Sequence, residues 1–530
     1  MEIRASVLLF GLLAASGFAD LDTAWVRRYD GPVHGQDEAQ AVAVDLAGSV
    51  YMTGFSMGAD ATYDFCTVKY DSSGRECWAR RLTGTGGGHE WACGVAADGR
   101  GGAYVGGSLF NAGTYDDLCL VRYDSSGTEK WVRCYDGPGH GTDMALGIAA
   151  HDSGHVYLVG CVSGDDGADL AVVKCSTDGS TEWVALYDGP GESDEQPWAM
   201  ALDSAGNVFV TGDYIYFISG MGFMDILTVK FLASGSVDWA KTWDYGLLYG
   251  DHGSAIALDS CGDVYVCGTS EDSVCHEDFV ILKYDEHGVG ICRVRETEDF
   301  GPVASVVDDE HNLYVAGTCV DSATGPDYAL LKYDSAGRQQ WTRQYDAGYG
   351  LNDCVNAMVL DSAGRILVTG QSIGPLNEYD FLTIAYDRDG NTLWRERYDS
   401  PYQLSDYPTA MCMDRRGDVY LAGGSIGEGW GDCLTLKLRE VSGIAEVPPG
   451  DFERLPGSTI VRGVLELPVA ASRKPQAASW LLDISGRKVL ELHPGPNDVS
   501  RLAPGVYFVR SGPSAASRGP SAVHRVAIAR

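Results

Sequence analysis

Eight times along this chain a short apolar phrase closes on a glycine: VYMTG, AYVGG, VYLVG, VFVTG, VYVCG, LYVAG, ILVTG and VYLAG. The glycines are Gly54, Gly107, Gly160, Gly212, Gly268, Gly317, Gly370 and Gly423, separated by 53, 53, 52, 56, 49, 53 and 53 residues. A period of this length means one supersecondary unit repeated, each copy burying its apolar faces against its neighbours. A length of 530 residues alone would suggest several domains. The repeat overrides that expectation, because one ring of copies absorbs most of the chain.

Each unit reads as four strands. In the first, AVAVD and VYMTGFS flank the turn Asp45–Ser49, and YDFCTVKYD and ECWARRL flank the turn SSGR. Period-two alternation punctuated by Gly, Asp, Asn and Ser is a hairpin signature, so the unit is a four-stranded antiparallel meander. The first strand carries a small residue in every copy: Ala41, Gly94, Gly147, Ala199, Ala255, Ala304, Ala357 and Ala410. The fourth carries a tryptophan nine residues after the Lys or Arg of the third: Trp78, Trp131, Trp183, Trp239 and Trp341, with Trp394 at the matching place. Small residues near an axis and large aromatics at the periphery describe radial blades, not a stacked solenoid.

Closure is readable too. The eighth copy ends at its third strand, CLTLKLRE, whereas an orphan tryptophan strand, TAWVRRYDG at Thr23 to Gly31, precedes the first copy. That segment is expected to supply the fourth strand of the last blade, removing two exposed sheet edges. One copy is degenerate, with Cys292 where its sisters have Trp. The expected fold is all-β, an eight-bladed propeller over residues 20–440, with seven blades plus a stray unit as the alternative.

The phrases KYDSSGRECW (Lys69 to Trp78) and KYDSAGRQQW (Lys332 to Trp341), with YDG after the fourth strand, resemble the bacterial SBBP-type beta-propeller repeat family. The resemblance covers roughly Ala24 to Arg439 and implies an extracellular binding or structural role. Residues 1–19 read as a secretory signal peptide: Arg4, an apolar run from Val7 to Ala15, then Gly17 and Ala19 at cleavage spacing. No other apolar run approaches about 18 residues, so no membrane span is expected after its removal.

Residues 441–457, with Pro448-Pro449-Gly450, read as a linker, and residues 458–530 as a small β-sandwich. In that tail LLDISGRKV (Leu481 to Val489), LAPGVYFVR (Leu502 to Arg510) and the basic ending HRVAIAR resemble the C-terminal sorting domain of type IX secretion substrates, although its usual Pro-Asn opening is absent. The resemblance implies contact with a secretion machinery and a protein secreted from, or displayed on the outer membrane of, a Gram-negative-type bacterium. A fibronectin-like stalk module is the other reading of such short strands.

Formal net charge is −35, and it is uneven: residues 458–530 carry +6 and the rest −41. Such acidity disfavours nucleic-acid backbones and anionic membranes and favours solubility or cation binding; a monomer is expected. The fifteen cysteines are scattered, with no C-x-x-C pair, which argues against zinc and against a disulfide framework. One pair, Cys119 and Cys134, falls opposite across a simple hairpin around Asp124 to Glu129, within disulfide reach.

Candidate chemistry lies in the loops that join one unit to the next. An acidic residue recurs four positions before the small inner residue: Asp37, Glu90, Asp143, Glu195, Asp251, Asp353 and Asp406, with Phe300 in the degenerate copy. His34, His89, His140 and His252 share those loops. A carboxylate at a strand entrance commonly accepts backbone N–H bonds and locks its loop, and recurrence in nearly every blade fits that role. The sharper reading is a crown at one channel mouth, with Asp37, Asp143, Asp251, Asp353 and Asp406 binding divalent cations, calcium foremost, and His34, His140 and His252 contacting a ligand. The insert 213–224, DYIYFISGMGFM, adds Tyr214, Tyr216 and Phe217 either as a partner patch or as a longer hairpin packed on its blade. Asp387 to Asn391 reads as a hairpin turn, not a calcium loop.

Eight-bladed quinone dehydrogenases share the D-x-x-G-x-x-x-W phrase but need a vicinal disulfide, and this chain has neither a Cys-Cys pair nor an HExxH helix. The function expected is therefore a binding or structural module for an extracellular protein or glycan, without an organic cofactor. The alternative is a carbohydrate-active enzyme, a glycoside hydrolase or lyase, using acidic residues at the channel mouth.

Overall fold

The computed structural model describes residues 20–441 apart from short loop stretches at 165–166, 192, 219–220, 247–249, 272–276, 297–299, 322–324, 349–351, 375–377 and 428, together with seven strands of the tail. The signal-peptide reading of 1–19 and nearly all of the linker reading of 441–457 lie outside the described residues. The chain divides into two units, Met1–Gly443 and Ile444–Arg530.

The first unit contains eight four-stranded antiparallel sheets. Blade one is Asp37–Val44, Val50–Met57, Tyr63–Tyr70 and Glu76–Leu82, and the next six repeat that order. In the eighth blade Asp406–Met413, Val419–Ile426 and Gly431–Val441 are completed by Asp20–Tyr29, the N-terminal strand. There Trp25 lies opposite Lys437, just as Trp78 lies opposite Lys69 in blade one. Closure by the N-terminal segment holds, and there are eight blades. Among the described residues there are no helices.

The diagnostic glycines have a steric cause. Every first strand carries a bulge immediately before its small inner residue, for example between Ala39 and Ala41 or between Pro408 and Ala410. The bulge turns a carbonyl toward the second strand. A Cβ on Gly54 would overlap the oxygen of Glu38, and one on Gly423 that of Tyr407. Only glycine leaves room, so the repeated glycine is the partner of a repeated bulge.

The tryptophans clamp each blade to the next. Trp25, Trp78, Trp131, Trp183, Trp239 and Trp341 donate from Nε1 to a turn carbonyl of the following blade at 3.1–3.3 Å. Trp78 lies across Gly127, whose φ of 77° puts it in the left-handed region and whose missing Cβ admits the indole. Cys119 and Cys134 lie opposite each other and are joined by a disulfide.

In the tail, Ser458–Val461, Val523–Ile528, Gly505–Ser511, Ser479–Leu482 and Lys488–Leu492 pair in that order into a five-stranded sheet. Val464–Leu467 pairs with Gly495–Asp498.

Candidate functional site: the rim face of the ring

The antiparallel meander puts two kinds of loop on two faces. On one face the turns joining strands one to two and three to four are uniform. Asp45 is typical: its Oδ1 accepts the N–H groups of Ala47 and Ser49 at 2.9 and 2.8 Å. Asp387 does the same for Asp389 and Asn391, a hairpin turn as expected. The opposite, rim face carries the variable loops, and all the predicted site residues belong to it.

The crown carboxylates are latches. Asp37, Glu90, Asp143, Glu195, Asp251, Asp353 and Asp406 are all at most 1% exposed. Six residues upstream a backbone N–H donates to each of six of them: Gly31 to Asp37 at 2.6 Å, Gly84 to Glu90 at 3.2 Å, Gly137 to Asp143 at 2.8 Å, Tyr245 to Asp251 at 2.9 Å, Ala347 to Asp353 at 2.8 Å and Ser400 to Asp406 at 2.7 Å. Ser193 Oγ donates to Glu195 at 2.8 Å. A side chain so placed fixes the loop entering the innermost strand. Burial pushes Asp143 up to about 6, Glu195 to about 7 and Glu90 to about 8, against the N–H bonds that favour the anion.

These residues sit one per blade seam, and several have acidic company. Asp143 shares its seam with Asp117 from the third strand and Asp136 from the YDG turn of the blade before, their carboxylate oxygens lying within 4.8 Å of one another. Asp30, Asp37 and Asp432 form the equivalent group, as do Asp225, Asp244 and Asp251. The sequence reading missed the third-strand and YDG aspartates, although YD recurs as regularly as the crown acids do.

Second strands in blades one, seven and eight also spell G-x-S-x-G, at 54–58, 370–374 and 423–427. Their serines are buried beside the latches, and Ser425 Oγ donates to Asp406. No helix follows them, so they are not nucleophile elbows.

The histidines divide. His34 and His140 are exposed and bond Asp30 and Asp136 four residues back, at 2.5 and 2.6 Å, within turns where both have positive φ. His252 differs: its Nδ1 faces Asp213 Oδ2 at 3.2 Å, and Trp198 Nε1 donates to the same oxygen at 2.6 Å. Asp213 is 1% exposed, and its hydrogen bond and charge raise the His252 pKa. This trio draws on blades four and five and has no counterpart among the described residues of the other blades.

The insert is a lengthened hairpin, Val208–Ile218 with Met221–Phe231. Tyr214 is buried, stacks on Tyr216 at 5.6 Å and donates to Pro190 O; Tyr216 in turn meets Phe223 at 5.8 Å. Phe217, Ile218 and Met221 stay exposed at its tip. Tyr214 and Tyr216 therefore pack on the blade, whereas Phe217 is offered to solvent.

The strongest feature of this face lies, Phe217 excepted, outside the predicted residues. Among the described residues the large exposed aromatics are Trp91, Tyr115, Trp198, Phe217, Tyr245, Tyr402 and Trp430. Six belong to rim loops or rim ends of strands, and Trp198 to an innermost strand. The turn face exposes aliphatics such as Leu46 and Val289 but none of these rings. Trp91, 45% exposed, is braced by Phe55 at 4.8 Å and Tyr63 at 5.3 Å. Tyr402 lies under the Arg28 guanidinium at 4.9 Å. The signal that could have found them was a departure from the repeat, since Trp91 and Trp198 stand where sister blades carry unrelated residues.

No family model matches the chain, and no curated protein matches it. Among solved structures it is similar to a protein of unknown function from Bacteroides caccae, at 11% identity and TM-score 0.33, covering 57% of this chain and 97% of that one. A polysaccharide lyase, Uly1, is similar at 10% identity and TM-score 0.41, covering 66% and 89%. Sqt1 from Chaetomium thermophilum is similar at 10% identity and TM-score 0.45, covering 79% and 99%. Likenesses this distant say nothing of function, and the propeller rests on its own strand pairing.

Proposed function

We propose that this chain is an extracellular propeller, a monomer that binds a glycan or protein through its rim face. One observation carries the proposal: exposed aromatic rings gather on the rim and are absent from the turn face among the described residues. Rings such as Trp91 give large, rigid contact area at little entropic cost, and aromatics are enriched where surfaces bind. Export rests on the signal-like residues 1–19 and on the likeness of the tail to a type IX sorting domain. Retention on a glycan array, with Trp91→Ala and Trp430→Ala compared against the turn-face variant Leu46→Ser, tests the reading. Loss confined to the rim variants at unchanged Tm supports it; equal retention by all three sinks it. Fractionating the producing bacterium with and without residues 458–530 tests export.

A second reading, a carbohydrate-active enzyme, is favoured by the trio of Trp198, Asp213 and His252. A buried carboxylate orienting a half-exposed imidazole suits proton transfer. Turnover of chromogenic glycosides that disappears in His252→Ala would separate it from simple binding.

A further inference from the structure

The seams between blades differ at one position, three residues after the clamping Trp or Cys292. Blades one, five, seven and eight have Arg81, Arg295, Arg397 and Arg28 there; blades two, three, four and six have Cys134, Leu186, Thr242 and Gln344. Each arginine reaches the third-strand aspartate of its blade. Arg28 meets Asp432 at 3.0 Å, Arg295 meets Asp278 at 2.7 Å, Arg397 meets Asp380 at 2.9 Å, and Arg81 grips Asp64. Three of them also touch the serine beside the latch: Arg397 donates to Ser372 Oγ at 2.6 Å, and Arg81 and Arg28 to Ser56 and Ser425. A cation thus stands among the carboxylates of these seams.

Between blades two and three that guanidinium is missing, because the position is taken by Cys134, which is tied to Cys119. The carboxylates remain. Asp117 and Asp143 are 5% and 0% exposed, and with Asp136 they bring three oxygens within 4.8 Å of one another. Asp117 Oδ2 accepts from Asn111 and Thr114 at 2.9 and 3.0 Å, and Asp136 Oδ2 faces His140 at 2.6 Å. The two Asp143 oxygens accept the N–H groups of Gly137 and Ser163, both at 2.8 Å. Asp117 Oδ1 and Asp136 Oδ1 are buried with no hydrogen-bond partner. A buried carboxylate oxygen left without a donor is costly and calls for a partner.

We propose that Asp117, Asp136 and Asp143 bind a divalent cation, calcium by preference, in the place that an arginine guanidinium occupies in blades one, five, seven and eight. Oxygens about 2.3–2.6 Å from a calcium ion lie at most about 5 Å apart, and the three carboxylates bring oxygens within that limit. All three donors are hard carboxylates, and calcium tolerates the irregular geometry of a loop, whereas magnesium demands a tighter octahedron. The site is independent of the ligand proposed for the rim. It also relocates the expected metal chemistry from a shared crown at the channel mouth to the seam between two blades.

The test titrates calcium chloride into the chelator-stripped full chain, reading heat and Tm. Wild type is expected to release or absorb heat and to gain Tm. Asp117→Asn is expected to lose one binding equivalent. Cys134→Arg recreates the cross-strand pair Cys66 and Arg81 of blade one. It is expected to lose the same equivalent and to melt higher than Cys134→Ala without calcium, whereas Cys134→Ala keeps the equivalent. No heat and no Tm change in wild type would overturn the proposal, as would equal stoichiometry in the Arg and Ala variants. If Asp117→Asn does not fold, the pair at position 134 still decides.

Discussion

The seam between blades one and two and the seam between blades five and six solve the same packing problem with opposite materials. In the first, Trp78 donates to Ser125 O at 3.3 Å and sits between Tyr51 and Tyr123, 6.2 and 5.7 Å away. Glu90 is buried above it as a polar latch. In the second, Cys292 offers Sγ to Ala336 O at 3.4 Å, and a cavity of about 10 Å³ opens beside it, lined by Tyr265, Leu313, Tyr333 and Gly337 among others. The latch position is Phe300, 2% exposed and edge-on to Phe279 at 5.0 Å. A seam therefore needs filled volume, and at the latch position it accepts either a bonded carboxylate or a phenyl ring.

If that is right, the two clamps carry very different weights. Trp78→Ala is expected to cost about 3–5 kcal/mol, by the usual penalty for emptying a large buried aromatic site. Cys292→Ala should cost less than about 1 kcal/mol, roughly one methylene's worth of burial. Midpoints of guanidinium unfolding measure both. Equal shifts would break the comparison, since they would mean that the tryptophan contributes no more than the thiol that replaces it.

The latches should separate by pH. Burial first, then the neighbouring charges of Asp64 and Asp60, push Glu90 up to about 8, while the Gly84 N–H pulls it down; Asp64 is itself paired with Arg81. A carboxyl that holds its proton more tightly folded than unfolded contributes stability that is fully present below about pH 4.5. That contribution is lost as pH rises through about 8. Glu90→Gln keeps the hydrogen bond and removes the titration, so the fall in Tm between pH 5 and pH 9 should shrink. At the other seam the latch position has nothing to titrate, and Phe300→Leu should leave the pH profile unchanged. An unaltered slope in Glu90→Gln would mean that this group ionises freely in the folded ring.

Blade count, strand order, N-terminal closure and the tryptophan clamp were legible because each repeats. Eight noisy copies of one pattern average out what a single strand pattern leaves ambiguous. The cysteine pair at 119 and 134 was legible because hairpin register is set by turn length. The seam chemistry was not. Asp117 and Asp143 are 26 residues apart, and only the docking of one blade on the next makes them neighbours. Trp198 and His252 meet on Asp213 for the same reason. The predicted crown residues were found at the right loop but turned inward, since a carboxylate beside free N–H groups is satisfied by the loop before any ligand arrives. The rim aromatics escaped notice because a single Trp91 or Trp430 in a sequence looks like any other core aromatic.

The most pointed expectation is a small gain in stability. Cys292 keeps the nine-residue spacing from Lys283 that Trp78, Trp131, Trp183, Trp239 and Trp341 keep from the Lys or Arg of their own third strands. The carbonyl equivalent to the sister acceptors is Ser335 O, two residues before Gly337, whose φ of 77° matches that seen under Trp78 at Gly127. Cys292→Trp should let the indole enter beside Gly337, fill the cavity and restore the missing donor, raising stability by about 1 kcal/mol, the usual return from filling a cavity. The indole is larger than the void, so the gain depends on the outer edge of the seam admitting the ring as it does in the sister blades. A thermal shift of a few degrees upward would show that blades five and six retain the common clamp geometry and lack only its side chain. A downward shift would show that the seam has closed around the thiol, and that Phe300 and Cys292 form one repacked unit instead of two separate departures from the repeat.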